Sequence, residues 1–130
     1  MSDKLQFLSK TGDEKSGYRF TVSILGDDPT QLHIALEGYL DNNNSGYFAA
    51  AFKKTIDDYN KAKTVVLDLA KLNYISSTGI GSFVEILSYF KKNNYRLFIY
   101  RISDKVSSVF DLLGFTAYFQ FIKDLTAIPV

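Results

Sequence analysis

Three hydroxyls in a row, Ser76, Ser77 and Thr78, stand immediately before Gly79. After them the apolar residues Ile80, Phe83, Val84, Leu87 and Phe90 fall at i, i+3, i+4, i+7 and i+10, which is one face of a helix. Before them Val65 to Leu69 is apolar except for Asp68, and β-branched residues lead it, as a covered strand requires. The stretch therefore reads as a buried strand, a short turn and a helix start. Hydroxyls at a helix N-terminus accept from free backbone N–H groups, and each cap contributes about 1 kcal/mol. One cap needs one hydroxyl, and three are present. The N-terminal end of a helix also tolerates negative charge, so a hydroxyl displayed there suits a phosphate, whose charge and bulk would remake the surface. Gly79 is expected to remove side-chain cover from the turn.

Other reactive constellations are missing. No phosphate loop ends in Gly-Lys-Ser/Thr, the Gly79-Ile80-Gly81 pair lacks the third glycine of a dinucleotide fingerprint, and no Gly-x-Ser-x-Gly elbow occurs. No His/Asp/Glu set has metal-ligand spacing, and no metal or cofactor is expected. The single histidine, His33, falls on a strand phase opposite the apolar side, a surface or structural position, and nothing brings it to Ser77 or Thr78. Asp68, an acid on a buried strand, reads as structural and hydrogen-bonded to nearby backbone.

The elements that must position these residues follow in order. Residues 1–17 are polar; Leu5, Phe7 and Leu8 make either a short edge strand or part of a mobile segment. Tyr18 to Leu25 alternates as a half-buried strand. Across the Gly26–Thr30 turn, Leu32, Ile34 and Leu36 form a second strand, giving a hairpin. Gly38-Tyr39-Leu40-Asp41 ends it, Asn42 to Ser45 offer N-caps, and Phe48, Phe52, Thr55, Ile56 and Tyr59 follow helical spacing. The helix begun near Thr78 ends at Lys91-Lys92-Asn93-Asn94. A strand over Tyr95 to Ile102, a helix capped by Ser103-Asp104 and stopped at Gly114, and a short strand near Phe119 to Ile122 complete the chain. The order β-β-α-β-α-β-α-β predicts an α/β fold, a mixed β-sheet flanked by helices. The aromatic residues, 11 Phe and 9 Tyr, read as core.

Composition narrows the function. The chain has 130 residues, enough for one domain with an ordinary core. A net charge of +1 gives no reason to expect a nucleic-acid partner. The absence of cysteine excludes disulfides and thiolate metal sites. No apolar run approaches the roughly 20 residues of a membrane helix, and Met1-Ser2-Asp3-Lys4 lacks a signal-peptide core. A cytoplasmic protein without direct membrane insertion is the expectation.

The stretch Ile75-Ser76-Ser77-Thr78-Gly79-Ile80-Gly81, following Val65-Val66-Leu67-Asp68-Leu69, resembles the signature of the STAS domain, the anti-sigma factor antagonist family. Gly38-Tyr39-Leu40-Asp41 is similar to the family's Gly-x-Leu-Asp, and Leu113-Gly114-Phe115 to its C-terminal helix end. The resemblance covers roughly residues 20 to 125, which makes 18–130 the domain. It implies a non-enzymatic partner switch. The antagonist binds an anti-sigma factor that is also a serine/threonine kinase. The kinase phosphorylates the hydroxyl just before the signature glycine, binding is lost, and a phosphatase restores it. That hydroxyl is Thr78 here, with Ser77 a minor site. The docking face implied comprises Asp41, Asn43, Ser76, Ser77, Thr78, Gly79, Ile80 and Gly81. Ser76 stands where the family has an acid, which bears on phosphorylation and leaves binding untouched. Two other readings remain open: a constitutive STAS subunit of a signalling scaffold or lipid-transport complex, and a small-molecule or nucleotide sensor.

Overall fold

The computed structural model describes residues 4–128 of the chain; Met1 to Asp3, part of the signal-peptide reading, lie outside them. Six strands form one sheet in sequential order: β1 (Leu5–Asp13), β2 (Tyr18–Leu25), β3 (Gln31–Leu40), β4 (Thr64–Ile75), β5 (Arg96–Tyr100) and β6 (Gln120–Ile122). The first three are antiparallel neighbours, and β3 to β6 run parallel. Three helices make the parallel crossovers: α1 (Ser45–Asp58), α2 (Ser77–Lys92) and α3 (Asp104–Leu113). Strand order advances one way only, and crossovers of this kind are right-handed, so each helix lands on the same face of the sheet. One apolar core duly contains side chains from all three helices and from β2 to β5.

Phenylalanines build the middle of that core. Phe20, Phe48, Phe52, Phe83, Phe90 and Phe110 are fully buried. Ring centroids lie 5.9 Å apart from Phe20 to Phe48, from Phe48 to Phe83 and from Phe83 to Phe110, and 5.5 Å apart from Phe110 to Phe119. These tilted and edge contacts suit aromatic quadrupoles and link β2, α1, α2 and α3. On the helix-free face a smaller cluster of Leu25, Val66 and Phe98 is covered by Ile128 from the chain's C-terminal segment.

Of the two readings open for the N-terminal segment the structure takes the edge strand, and one other strand departs from the sequence expectation for a physical cause. Leu5–Asp13 is an edge strand, paired with β2 through a register shift between Phe7 and Ser9. The strand before the signature is also longer than the Val65–Leu69 run: β4 continues to Ile75. Two register shifts against β3 each give β4 an extra residue, between Asp68 and Lys71 and between Leu72 and Tyr74. Bulges of this kind break strict alternation. The inward residues become Leu69, Leu72 and Ile75, a spacing of three that conceals a strand from a period-two reading. Gly38 serves the same end: its φ is +99°, and a Cβ there would stand 2.3 Å from the Gly17 carbonyl oxygen, so only glycine lets the hairpin lie this close to β3.

Candidate functional site

β4 passes into α2 through the single residue Ser76, whose backbone is extended. Ser76 Oγ accepts from the Gly79 N–H at 3.1 Å, and the Ser76 N–H donates to the Leu40 carbonyl at 2.9 Å. The first hydroxyl is therefore spent on capping. Ser77 and Thr78 occupy the first turn of α2, are exposed, and make no side-chain hydrogen bond within the described residues. No acidic residue stands in that turn.

Gly79 differs from the sequence expectation. It is buried, and its missing side chain does not uncover the turn but allows a close approach beneath it. A Cβ there would lie 2.6 Å from Ile75 Cγ1 and 3.1 Å from Leu40 Cβ. Ile80 is likewise fully buried in the core, and Ser82 Oγ donates to the Gly79 carbonyl at 2.6 Å. Gly79 and Ile80 thus set the position of the turn and offer no side-chain surface, whereas Gly81 is exposed with open space around it.

The Asp41–Asn44 loop is held just as firmly. One Asp41 carboxylate oxygen accepts from the Asn43 and Asn44 N–H groups at 2.9 and 3.0 Å. Asn44, expected among the N-caps, makes no side-chain cap bond to α1. Its side chain is buried and ties three segments together. Oδ1 accepts from the Asp41 N–H, and Nδ2 donates to the carbonyls of Tyr39 and Ser16 at 2.9 and 3.0 Å. Asn43 remains exposed at the loop's tip. Leu40 joins loop to helix: it ends β3, pairs with Ile75, receives the Ser76 N–H and lies under Gly79.

Three tyrosines at this end of the sheet depart from the expectation that the aromatics are mostly core. Tyr39, Tyr47 and Tyr74 are 43%, 76% and 48% exposed. Tyr39 and Tyr74 are register partners one residue before Leu40 and Ile75, so their outward phase follows once the bulges are known. A cleft of about 480 Å³ runs between Tyr39, Tyr47, Asp41 and the hairpin residues Asp13 and Lys15.

On the helix-free face the structure builds a cluster that the sequence reading saw in part. Asp68 does accept from a backbone N–H, that of Ala70, at 3.0 Å. It also receives His33 Nε2 at 2.9 Å and Arg101 Nη2 at 2.5 Å, with Arg101 Nε at 3.2 Å. Burial pushes the Asp68 carboxyl upward, but the His33, Arg101 and Ala70 hydrogen bonds outweigh it and hold it at about 2. His33 is buried at 5% exposure as a structural partner of that carboxylate. It pairs with Val66, seven positions before Leu40 on β3, so roughly 23 Å of strand separate it from the α2 turn. It also faces the opposite side of the sheet from the helices, so the structure does not bring it to Ser77 or Thr78. Among the described residues no group of three or more His, Cys, Asp or Glu could hold a metal ion. No helix among them is long and apolar enough to cross a membrane.

Comparison with known proteins places this geometry among relatives. The family model for the STAS domain matches residues 23–127. The chain is 26% identical over 96 residues to the anti-sigma-B factor antagonist of Listeria monocytogenes, covering 72% of this chain and 81% of the relative. It is 36% identical over 50 residues to the anti-sigma-B factor antagonist of Staphylococcus epidermidis, covering 38% of this chain and 46% of that one. Its fold is similar to the anti-sigma factor antagonist SpoIIAA in its unphosphorylated form. There the TM-score is 0.65 at 18% identity, over 83% of this chain and 91% of the other. An anti-sigma factor antagonist from Mycobacterium paratuberculosis gives a TM-score of 0.58 at 13% identity, over 97% and 92% of the two chains.

Proposed function

The chain belongs to the STAS domain family, and from that premise we propose that it is an anti-sigma factor antagonist, a regulator that acts by binding rather than by catalysis. Its partner on this reading is an anti-sigma factor with serine/threonine kinase activity, Thr78 is the switch hydroxyl, Ser77 is a minor site, and a phosphatase resets it. The names of the relatives support the role of antagonist. The observation that supports a switch hydroxyl here is the division of labour at the α2 terminus: Ser76 is consumed by the cap, while Ser77 and Thr78 are both exposed and unengaged, and the resemblance to the family signature, whose hydroxyl stands just before the glycine, selects Thr78 of the two. A phosphate there adds about −1.5 to −2 charge beside the Asp41 loop and the exposed tyrosines, where a close-fitting partner would have to desolvate it. The docking face comprises Asp41, Asn43, Ser77, Thr78 and Gly81 at the surface, positioned from below by Ser76, Gly79 and Ile80.

The test uses the anti-sigma factor kinase encoded in the same genome, purified and mixed with this chain with and without ATP. The expected result is a complex that dissociates as Thr78 gains one phosphate, with Thr78→Ala unmodified and Thr78→Glu folded but weakly bound. A complex of unchanged affinity with Thr78→Glu would overturn the switch. A complex that ATP leaves intact, with no gain in mass, would favour a constitutive subunit. Ser76, which supplies the cap but no charge where the family has an acid, would then be the first residue to exchange.

A further inference from the structure

A second cavity, of about 530 Å³, opens beyond the carboxyl ends of β5 and β6. Its apolar side includes Ile102, Phe121 and Ile122, which are all half-buried; its polar side includes Arg101, Lys123 and Ser107. We propose that this cavity binds a small organic anion with an aliphatic tail, of the class of medium-chain carboxylates. No carboxylate lines it. Arg101 commits Nε and Nη2 to Asp68, but a guanidinium has five N–H donors, and the Arg101 side chain is 56% exposed. Lys123 has no ion pair, and Ser107 Oγ no hydrogen bond, within the described residues. Lys123 and Ser107, which no acid answers among the described residues, and the N–H groups that Arg101 keeps beyond its pair with Asp68 are suited to an anionic head. The half-buried isoleucines and Phe121 would be covered by its chain.

The volume agrees with this assignment. Sites for small ligands span about 300–1,000 Å³ and combine apolar walls with a few polar groups. The site rests on residues apart from Thr78 and the Asp41 loop, so it stands or falls independently of the proposed switch.

The test is an amide NMR titration of the full chain with sodium decanoate below its micelle concentration, alongside decan-1-ol and sodium butyrate. Decanoate should give saturable shifts centred on Ile102, Ser107, Phe121 and Ile122. Decanol, which lacks the charge, and butyrate, which lacks the tail, should each bind about tenfold more weakly or less. Lys123→Gln, an exposed change that leaves the core alone, should weaken decanoate about tenfold. Absence of saturable shifts there, equal affinity for decanol or butyrate, or undiminished binding by Lys123→Gln would each overturn the assignment.

Discussion

Gly79 and Gly81 sit two residues apart in one helix, and replacing each by alanine should move stability in opposite directions. At Gly81 nothing lies within 4 Å of the new Cβ, and the residue is exposed. The substitution should gain up to about 1 kcal/mol, the difference in helix propensity between the two residues. At Gly79 the Cβ meets Ile75 Cγ1 at 2.6 Å, Leu40 Cβ at 3.1 Å and the Leu40 carbonyl oxygen at 3.3 Å. Ile75 and Leu40 are themselves buried, so neither can swing aside, and overpacking of this kind costs about 1–3 kcal/mol. Gly79 lies in the first turn, where the propensity gain is smaller, so a net loss of about 1–2 kcal/mol remains. The two variants should therefore differ by about 2–3 kcal/mol, which urea unfolding with a shared m-value resolves readily. Thermal melts should separate by roughly 5–15 °C. If Gly79→Ala proved as stable as Gly81→Ala, the close approach of α2 to Leu40 and Ile75 would be wrong, and with it the account of how the turn is positioned.

Three further outcomes follow from the same geometry. Ser76→Ala should cost about 1 kcal/mol by removing the α2 cap, and Ser76→Asp should restore it, as read from urea midpoints. Asn44→Ala leaves the Asp41 N–H and the Tyr39 and Ser16 carbonyls without their partner and should cost about 2–3 kcal/mol. Asp68 governs the acid limb of stability. Its carboxyl is held at about 2 in the fold against 3.8 ordinarily, so the unfolded chain takes up the proton first. The contribution, about 2 kcal/mol, is fully present above pH 4 and is lost as pH falls from there toward 2. Urea unfolding across pH 2–5 should show that decline in the wild type and a flatter profile in Asp68→Asn.

Much of this was legible in the residues. The alternation of Tyr18 to Leu25, the spacing of Phe48, Phe52 and Ile56, and the Ser103 and Gly114 punctuation of α3 mark their elements, because each pattern is local. The α2 cap lies within one residue of where the hydroxyls put it. What stayed hidden depends on pairing between distant segments. The length of β4 is concealed by two bulges that arise only against β3. Asn44 reads as a cap by type, but its amide is drawn into the Ser16 and Tyr39 carbonyls, 28 and 5 residues away. His33 and Asp68 face the side without helices, and nothing in a strand's alternation says that this side is covered where they meet. Tyr39, Tyr47 and Tyr74 look like core because exposure of an aromatic is a property of the ends of a sheet and not of its sequence.

Leu40 has a consequence for how such a surface can signal. The loop that starts at Asp41 and the turn that carries Ser77 and Thr78 come from distant parts of the chain, yet both are fastened to this one residue, by a backbone hydrogen bond and by a contact only glycine permits. Neither can recede without disturbing the other or the core beneath them. A group attached to Thr78 would thus meet an unyielding floor and stand proud of the surface in full. On the proposed switch, such a protein would convey its state by what it displays and not by changing shape, and its partner would do the yielding.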